Sequence, residues 1–157
     1  MRLALIWVGR VHRKSPEQEL CERYQTRLSP FVKWEETIVR GITGSNSLAE
    51  VQRRESEKII QALQPQDYVV LCDSRGKHLS SPDLAEQLSI LEQRAIKRVV
   101  FVIGGAMGVD DSFRKRADLV LSLSAMTLTH ALARVVLMEQ LYRAWCIKAG
   151  HPYHHEG

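Results

Sequence analysis

LVLSLSAMTLTHALARVVLMEQLYR, residues 119–143, decides the fold. Residues 119–123 read as a short apolar strand, and small and polar residues follow at 124–129. A long, mostly apolar helix then starts at His130 with almost no spacer and runs to about Lys148. Such a strand–loop–helix junction leaves unpaired backbone N–H groups beside a cleft, where a ligand can use them. The helix carries Leu132, Val135, Val136, Leu137, Met138, Leu141, Tyr142 and Trp145. That is wider than one amphipathic stripe and predicts burial on two sides. One side would pack on the chain's own sheet and the other on a second copy.

Upstream, the pattern from residue 67 is a strict alternation of strands and helices. Residues 68–72 form a continuous apolar run, as expected of a central parallel strand. Asp73-Ser74-Arg75-Gly76-Lys77 is its exit loop. Ser80-Ser81-Pro82-Asp83 opens a helix with Leu84, Leu88 and Leu91 on one face. Residues 98–103 are the next strand, with Gly104-Gly105-Ala106-Met107-Gly108 leaving it, and 110–117 are a short basic helix. Nearer the N-terminus, residues 3–9 read as a buried strand. Ser15-Pro16-Glu17-Gln18 opens a helix to about Leu28, with Gln18 able to reach back to the cap. Residues 32–39 form a second strand, and 41–47 are the most loop-like stretch. Ser47-Leu48-Ala49-Glu50 opens a helix to about Gln64, whose run at 53–58 reads as a solvated face of mixed charge. Repeated β–α units imply a parallel sheet with helices on both faces. Ligands bind such sheets beyond the carboxyl ends of the strands. The loops at 72–77, 104–108 and 123–129 should therefore converge.

A chain of 157 residues, 45% apolar and 25% charged, fits one soluble domain spanning 1–157. No apolar run reaches the roughly 18 residues a membrane span needs. The apolar start breaks at Gly9-Arg10-Val11-His12-Arg13-Lys14, so it is a strand and not a secretory signal. Cys21, Cys72 and Cys146 are odd in number and far apart, which points to a reducing, cytoplasmic setting and away from disulfides or zinc. The formal charge of +4 tilts toward an anionic partner.

Gly104-Gly105-x-x-Gly108 would let a backbone approach a ligand closely, or would simply make a tight turn. It lacks the spacing of a dinucleotide fingerprint, and no phosphate-loop motif exists. His154 and His155 precede the terminal Glu156, but adjacent histidines face one ion poorly, so no metal is expected. A tail with Pro152 and Tyr153 reads as folded back over the molecule, with Tyr153 able to stack on a base and His154 to handle a proton. Arg134 and Arg143 must find a carboxylate, a carbonyl or a phosphate on this apolar helix, and Glu139 lies one turn before Arg143. His130 either caps the helix or faces the ligand loops. Arg114-Lys115-Arg116 is a solvated face or a phosphate patch.

The run from Leu121 to His130, then Arg134, Glu139-Gln140-Leu141-Tyr142-Arg143-Ala144 and Pro152-Tyr153-His154, resembles the RlmH family over nearly the whole chain. So do Val102-Ile103-Gly104-Gly105-Ala106-Met107-Gly108 and Asp73-Ser74-Arg75-Gly76-Lys77. The resemblance implies an α/β, parallel-sheet SPOUT (α/β-knot) methyltransferase fold with a C-terminal trefoil knot, which no pattern rule would propose. It implies S-adenosylmethionine as cofactor, contacted by Leu71, Cys72, Gly104, Gly105, Leu123, Ser124, Ala125, Met126, Thr127 and Leu128. It implies a homodimer through the long helix. The implied reaction is methylation of N3 of a pseudouridine in 23S ribosomal RNA on the assembled ribosome, with His130, Arg143, Tyr153 and His154 on the substrate side. In the family a proline often stands where this chain has Thr129, itself a good N-cap. Other readings are a SPOUT enzyme acting on tRNA or another rRNA base, and a ribosome-associated binding protein without catalysis. Residues 41–47 and 114–116 are candidate ribosome contacts.

Overall fold

The structure is a computed structural model that describes residues 1–44 and 47–155. Its elements are β1 (Arg2–Val8), α1 (Pro16–Leu28), β2 (Lys33–Val39), α2 (Leu48–Ala62), β3 (Tyr68–His78), α3 (Ser81–Gln93), β4 (Arg98–Ile103), α4 (Asp111–Arg116), β5 (Leu119–Ser122) and α5 (His130–Lys148). The helices begin where the sequence places caps. Ser15, Ser47, Ser80, Asp110 and Thr129 each accept a hydrogen bond from the amide three residues on, which satisfies a donor the first turn leaves open. At α3 the box is closed, since Asp83 also accepts the Ser80 N–H. Gln18 does not reach back: its side chain donates to Glu22 and accepts from Arg134.

The five strands form one sheet in the order β2-β1-β4-β3-β5, every neighbouring pair parallel. β4, RVVFVI, is buried along its whole length, as a central strand covered on both faces must be. One apolar layer, under α1, α3 and α5, is built on Leu3, Leu5, Phe101, Leu88, Leu137 and Leu141. The other, under α2 and α4, is built on Ile6, Ile59, Val100, Val102 and Phe113. α5 packs against both α1 and α3. Much of its two-sided apolar surface is therefore used within the chain.

Two readings of the sequence need correction. The run at 53–58 is not wholly solvated: Glu55 and Ser56 are buried, 4% and 1% exposed. Ser56 Oγ accepts the Asp110 N–H at 3.1 Å, and Glu55 Oε2 accepts the Ile42 N–H at 3.0 Å. A helix that packs on a sheet turns every third or fourth residue inward, so a polar residue there must be satisfied by a loop. The 73–77 segment is also more than an exit loop. β3 pairs with β5 up to Cys72↔Leu121, breaks register, and resumes at Lys77↔Leu121 and His78↔Ser122. Gly76 presses on the β5 backbone so closely that a Cβ there would lie 2.6 Å from the Val120 carbonyl. Residues 45–46 of the loop-like stretch at 41–47, and Glu156 and Gly157, lie outside the described residues.

Candidate active site

The carboxyl ends of β4, β3 and β5 meet at a cleft of about 320 Å³. Of the ten residues the resemblance gives as cofactor contacts, Leu71, Cys72, Gly104, Gly105, Leu123, Ser124, Met126, Thr127 and Leu128 line it. Ala125 is exposed and does not. His130 lines it as well, from the first turn of α5. Leu71, Ile103, Leu123 and Leu128 give it apolar walls, and Asp73, Arg75, Ser124, Thr127 and His130 add polar groups. Ser124 Oγ accepts the Met126 N–H at 2.9 Å and shapes the last loop. The amides of Thr127 and Leu128 bond no described group. The Cys72 residue is only partly covered, but its thiol is desolvated and pushed up to about 12, so it stays neutral and is no nucleophile. Apolar walls with a few free backbone donors suit a flat heteroaromatic group such as adenine.

Two groups were missed by the sequence reading. Asp73 lines the cleft and pairs with both Arg75 and Arg114. Burial alone would raise its pKa, but hydrogen bonds from the side chain and backbone of Arg75 and from Arg114 outweigh it and hold the carboxyl at about 2. Glu55 sits behind the glycine loop: a Cβ on Gly105 would come within 2.4 Å of Glu55 Oε1. Gly105 thus lacks a side chain because a buried carboxylate occupies that space. Only a helical-period reading of α2 could have turned Glu55 inward.

The other three predicted substrate residues form a separate cluster at the far end of α5. Gly150, with φ +66°, ends the helix, and the His151 N–H returns to the Cys146 carbonyl at 2.9 Å. The tail then folds back, as its Pro and Tyr suggested. Tyr153 packs edge-on to Tyr142 at 4.7 Å, and Arg143 lies over the Tyr153 ring at 4.8 Å. Glu139 joins them: its Oε1 accepts from Arg143 Nη2 at 2.6 Å and from Tyr153 Oη at 3.2 Å. Burial first, then hydrogen bonding with Tyr24 and the Glu139 charge, push the Tyr153 phenol well above its ordinary range. His154 Nδ1 faces Arg143 Nη1 at 3.3 Å. Because arginine can only donate, Nδ1 accepts and Nε2 carries the proton. That Nε2 is buried and has no partner among the described residues.

His130 and Arg143 are thirteen positions apart on one helix, so about 20 Å of rise separates them. One chain therefore brings His130 to the cleft but leaves Arg143, Tyr153 and His154 away from it. Arg134 belongs to neither group. It lies over the Trp7 ring at 3.9 Å and donates to Glu36 at 2.6 Å, which also accepts from Trp7 Nε1. Among the described residues, no group of three or more His, Cys, Asp or Glu is placed to hold a metal, and no helix is long and apolar enough to cross a membrane.

A family model described as "Predicted SPOUT methyltransferase" matches residues 1–154. The chain is 48% identical to Ribosomal RNA large subunit methyltransferase H of Desulfovibrio desulfuricans, over 98% of this chain and 97% of that one. It is 44% identical to the protein of the same name from Acidiphilium cryptum, over 99% and 95% of the two chains. A solved methylase-family structure from Neisseria gonorrhoeae superposes with a TM-score of 0.51 at 12% identity, covering 99% of this chain and 86% of that one. That last likeness speaks for the fold alone.

Proposed function

This chain belongs to the SPOUT methyltransferase family, and from that premise we propose that it methylates N3 of a pseudouridine in 23S ribosomal RNA, in the cytoplasm and on the assembled ribosome, with S-adenosylmethionine as donor. One domain, 1–157, carries the activity. The observation that carries the reading is the cleft where the β4, β3 and β5 exits meet, its apolar walls closed by the free amides of Thr127 and Leu128.

S-adenosylmethionine, when bound, supplies an activated methyl group. The chain's own residues do the rest. The Gly104–Gly105 backbone and the last loop would hold the cofactor. N3–H of a pseudouridine is a weak nucleophile until its proton leaves, so the protein must align the base and favour its anion. His154 Nε2–H is an unused donor beside the Arg143 cation. Together they suit a developing negative charge on a uracil carbonyl oxygen better than they suit a base. His130 lines the cleft, and to it we assign assistance to the departing proton. Tyr153 positions the target base, its hydroxyl held by Glu139.

The tail cluster must meet a cleft about 20 Å away along α5, and Leu132 and Val136 on that helix, with Leu128 just before its cap, are not fully covered within one chain. We therefore read the enzyme as a homodimer through α5, in which the tail of one copy completes the cleft of the other. The test is transfer of a labelled methyl group to ribosomes lacking base methylation, with free tRNA and naked rRNA in parallel. The expected product is N3-methylpseudouridine on assembled ribosomes. Label on tRNA alone would overturn the substrate. A chain ended after Gly150 should bind S-adenosylmethionine but transfer nothing; unchanged turnover would remove the tail from the site.

A further inference from the structure

The surface cations divide into two sorts. Many are tied to carboxylates: Arg53 to Glu50 and Glu57, Arg143 to Glu139, Arg114 to Asp73 and Arg116 to Asp118. In the α4 run Arg114 and Arg116 each have a carboxylate partner, and Lys115 alone is outside an ion pair. A second group is free. Arg10, Arg13 and Lys14, on the loop leaving β1, are exposed, and their side chains bond no described residue. Val11 and His12 between them are exposed too, and no acidic residue occurs from 9 to 16. Arg40, just beyond β2, is likewise exposed, and its carbonyl accepts from Lys58 Nζ at 3.2 Å, which draws a further cation to the same edge.

Their position matters more than their number, because like charges in water repel each other only weakly. Register places Trp7 beside Ile103 and Val8 beside Val39. The β1 exit therefore lies between Arg40 and the Gly104–Gly105 loop, so the free cations extend the lip of the cleft along the carboxyl edge of the sheet. The geometry points to this edge, Arg10, Arg13, Lys14 and Arg40, as the surface that holds the phosphodiester backbone of the substrate RNA beside the target base, in place of the α4 run. This rests on the RNA substrate proposed above. Arginine forks and a lysine point charge suit phosphate oxygens, and such contacts set register and orientation without reading sequence.

The test uses the full chain with R10Q, R13Q and K14Q together, beside K115Q and a charge-preserving R10K/R13K/K14R variant. One readout is methyl transfer to ribosomes, and the other is anisotropy of a labelled RNA hairpin containing pseudouridine, over a salt series. In the neutralised variant the KM for ribosomes should rise roughly tenfold, with kcat and S-adenosylmethionine affinity unchanged. The slope of log affinity against log salt should shrink by roughly 2 to 3. K115Q and the charge-preserving variant should behave as wild type. A wild-type KM and salt slope in the neutralised variant would overturn the surface, as would a larger effect of K115Q. If the wild type methylates no ribosomes, the substrate reading fails on its own. The hairpin series then still decides the surface: an unchanged slope rejects it and a reduced slope upholds it.

Discussion

Asp73 shows how one carboxylate can set the charge of a ligand cleft. Two arginines converge on it from different elements, Arg75 on its own strand and Arg114 from α4, so its single negative charge offsets only one of the two positive ones and the trio stays cationic beside the cleft. Its carboxyl is held at about 2, below the ordinary carboxylate range near 4. A lowered folded-state pKa contributes stability above the unfolded value and loses it as pH falls through the folded one. Asp73 should therefore contribute up to about 2 kcal/mol at neutral pH, fading between roughly pH 4 and pH 2. Urea melts of wild type and Asp73→Asn across pH 2 to 7 check this. The two curves should differ at pH 7 and converge near pH 2; a constant gap would mean that the ion pairs contribute nothing. Gly105 and Glu55 make a second point at this scale. The glycine pattern was legible in the sequence, but the buried carboxylate that requires Gly105 to lack a side chain came from a run that read as solvated.

At the scale of elements, α5 joins the two halves of the site and carries a structural ion pair between them. Arg134 is 4% exposed, stacked on Trp7, and bonded to Glu36 and Gln18. The sequence required some anionic or carbonyl partner for it, and the fold supplies one from β2. Glu36 keeps access to water, so removing its partner costs less than stranding a fully buried charge would. Arg134→Met keeps much of the volume and should lower stability by about 2 kcal/mol in urea melts, through the lost charge-assisted hydrogen bonds and the lost cation–π contact with Trp7. A loss under about 1 kcal/mol would show that Trp7 Nε1–H is partner enough for Glu36.

For the whole molecule, the proposed homodimer rests on the separation of His130 from the tail cluster. Leu132 is 45% exposed on the outward stripe of α5, and Met126 in the adjoining loop is 78% exposed. A charge at the centre of an apolar contact is costly unless paired. Leu132→Arg should sediment as a monomer, retain S-adenosylmethionine binding, and lose methyl transfer by at least 100-fold. A dimer with full activity would place the interface elsewhere.

By itself the sequence determined the element order, the helix caps and the three loops that form the cleft. Those features depend on local patterns: apolar runs, Ser, Asp and Thr ahead of helices, and glycines after a strand. Only the tertiary structure decided which strands are neighbours, that β3 resumes pairing with β5 beyond Cys72, and that Glu55 and Ser56 point inward. It also decided which arginines are already spoken for. Arg114 and Arg116 look free in sequence and are paired in space, whereas Arg10, Arg13 and Lys14 look like a mere break in an apolar start and stand unpaired beside the cleft. The physical reason is the same in each case. Charges and buried polar groups are satisfied by partners that can lie far away along the chain, and only the folded backbone brings those partners within reach.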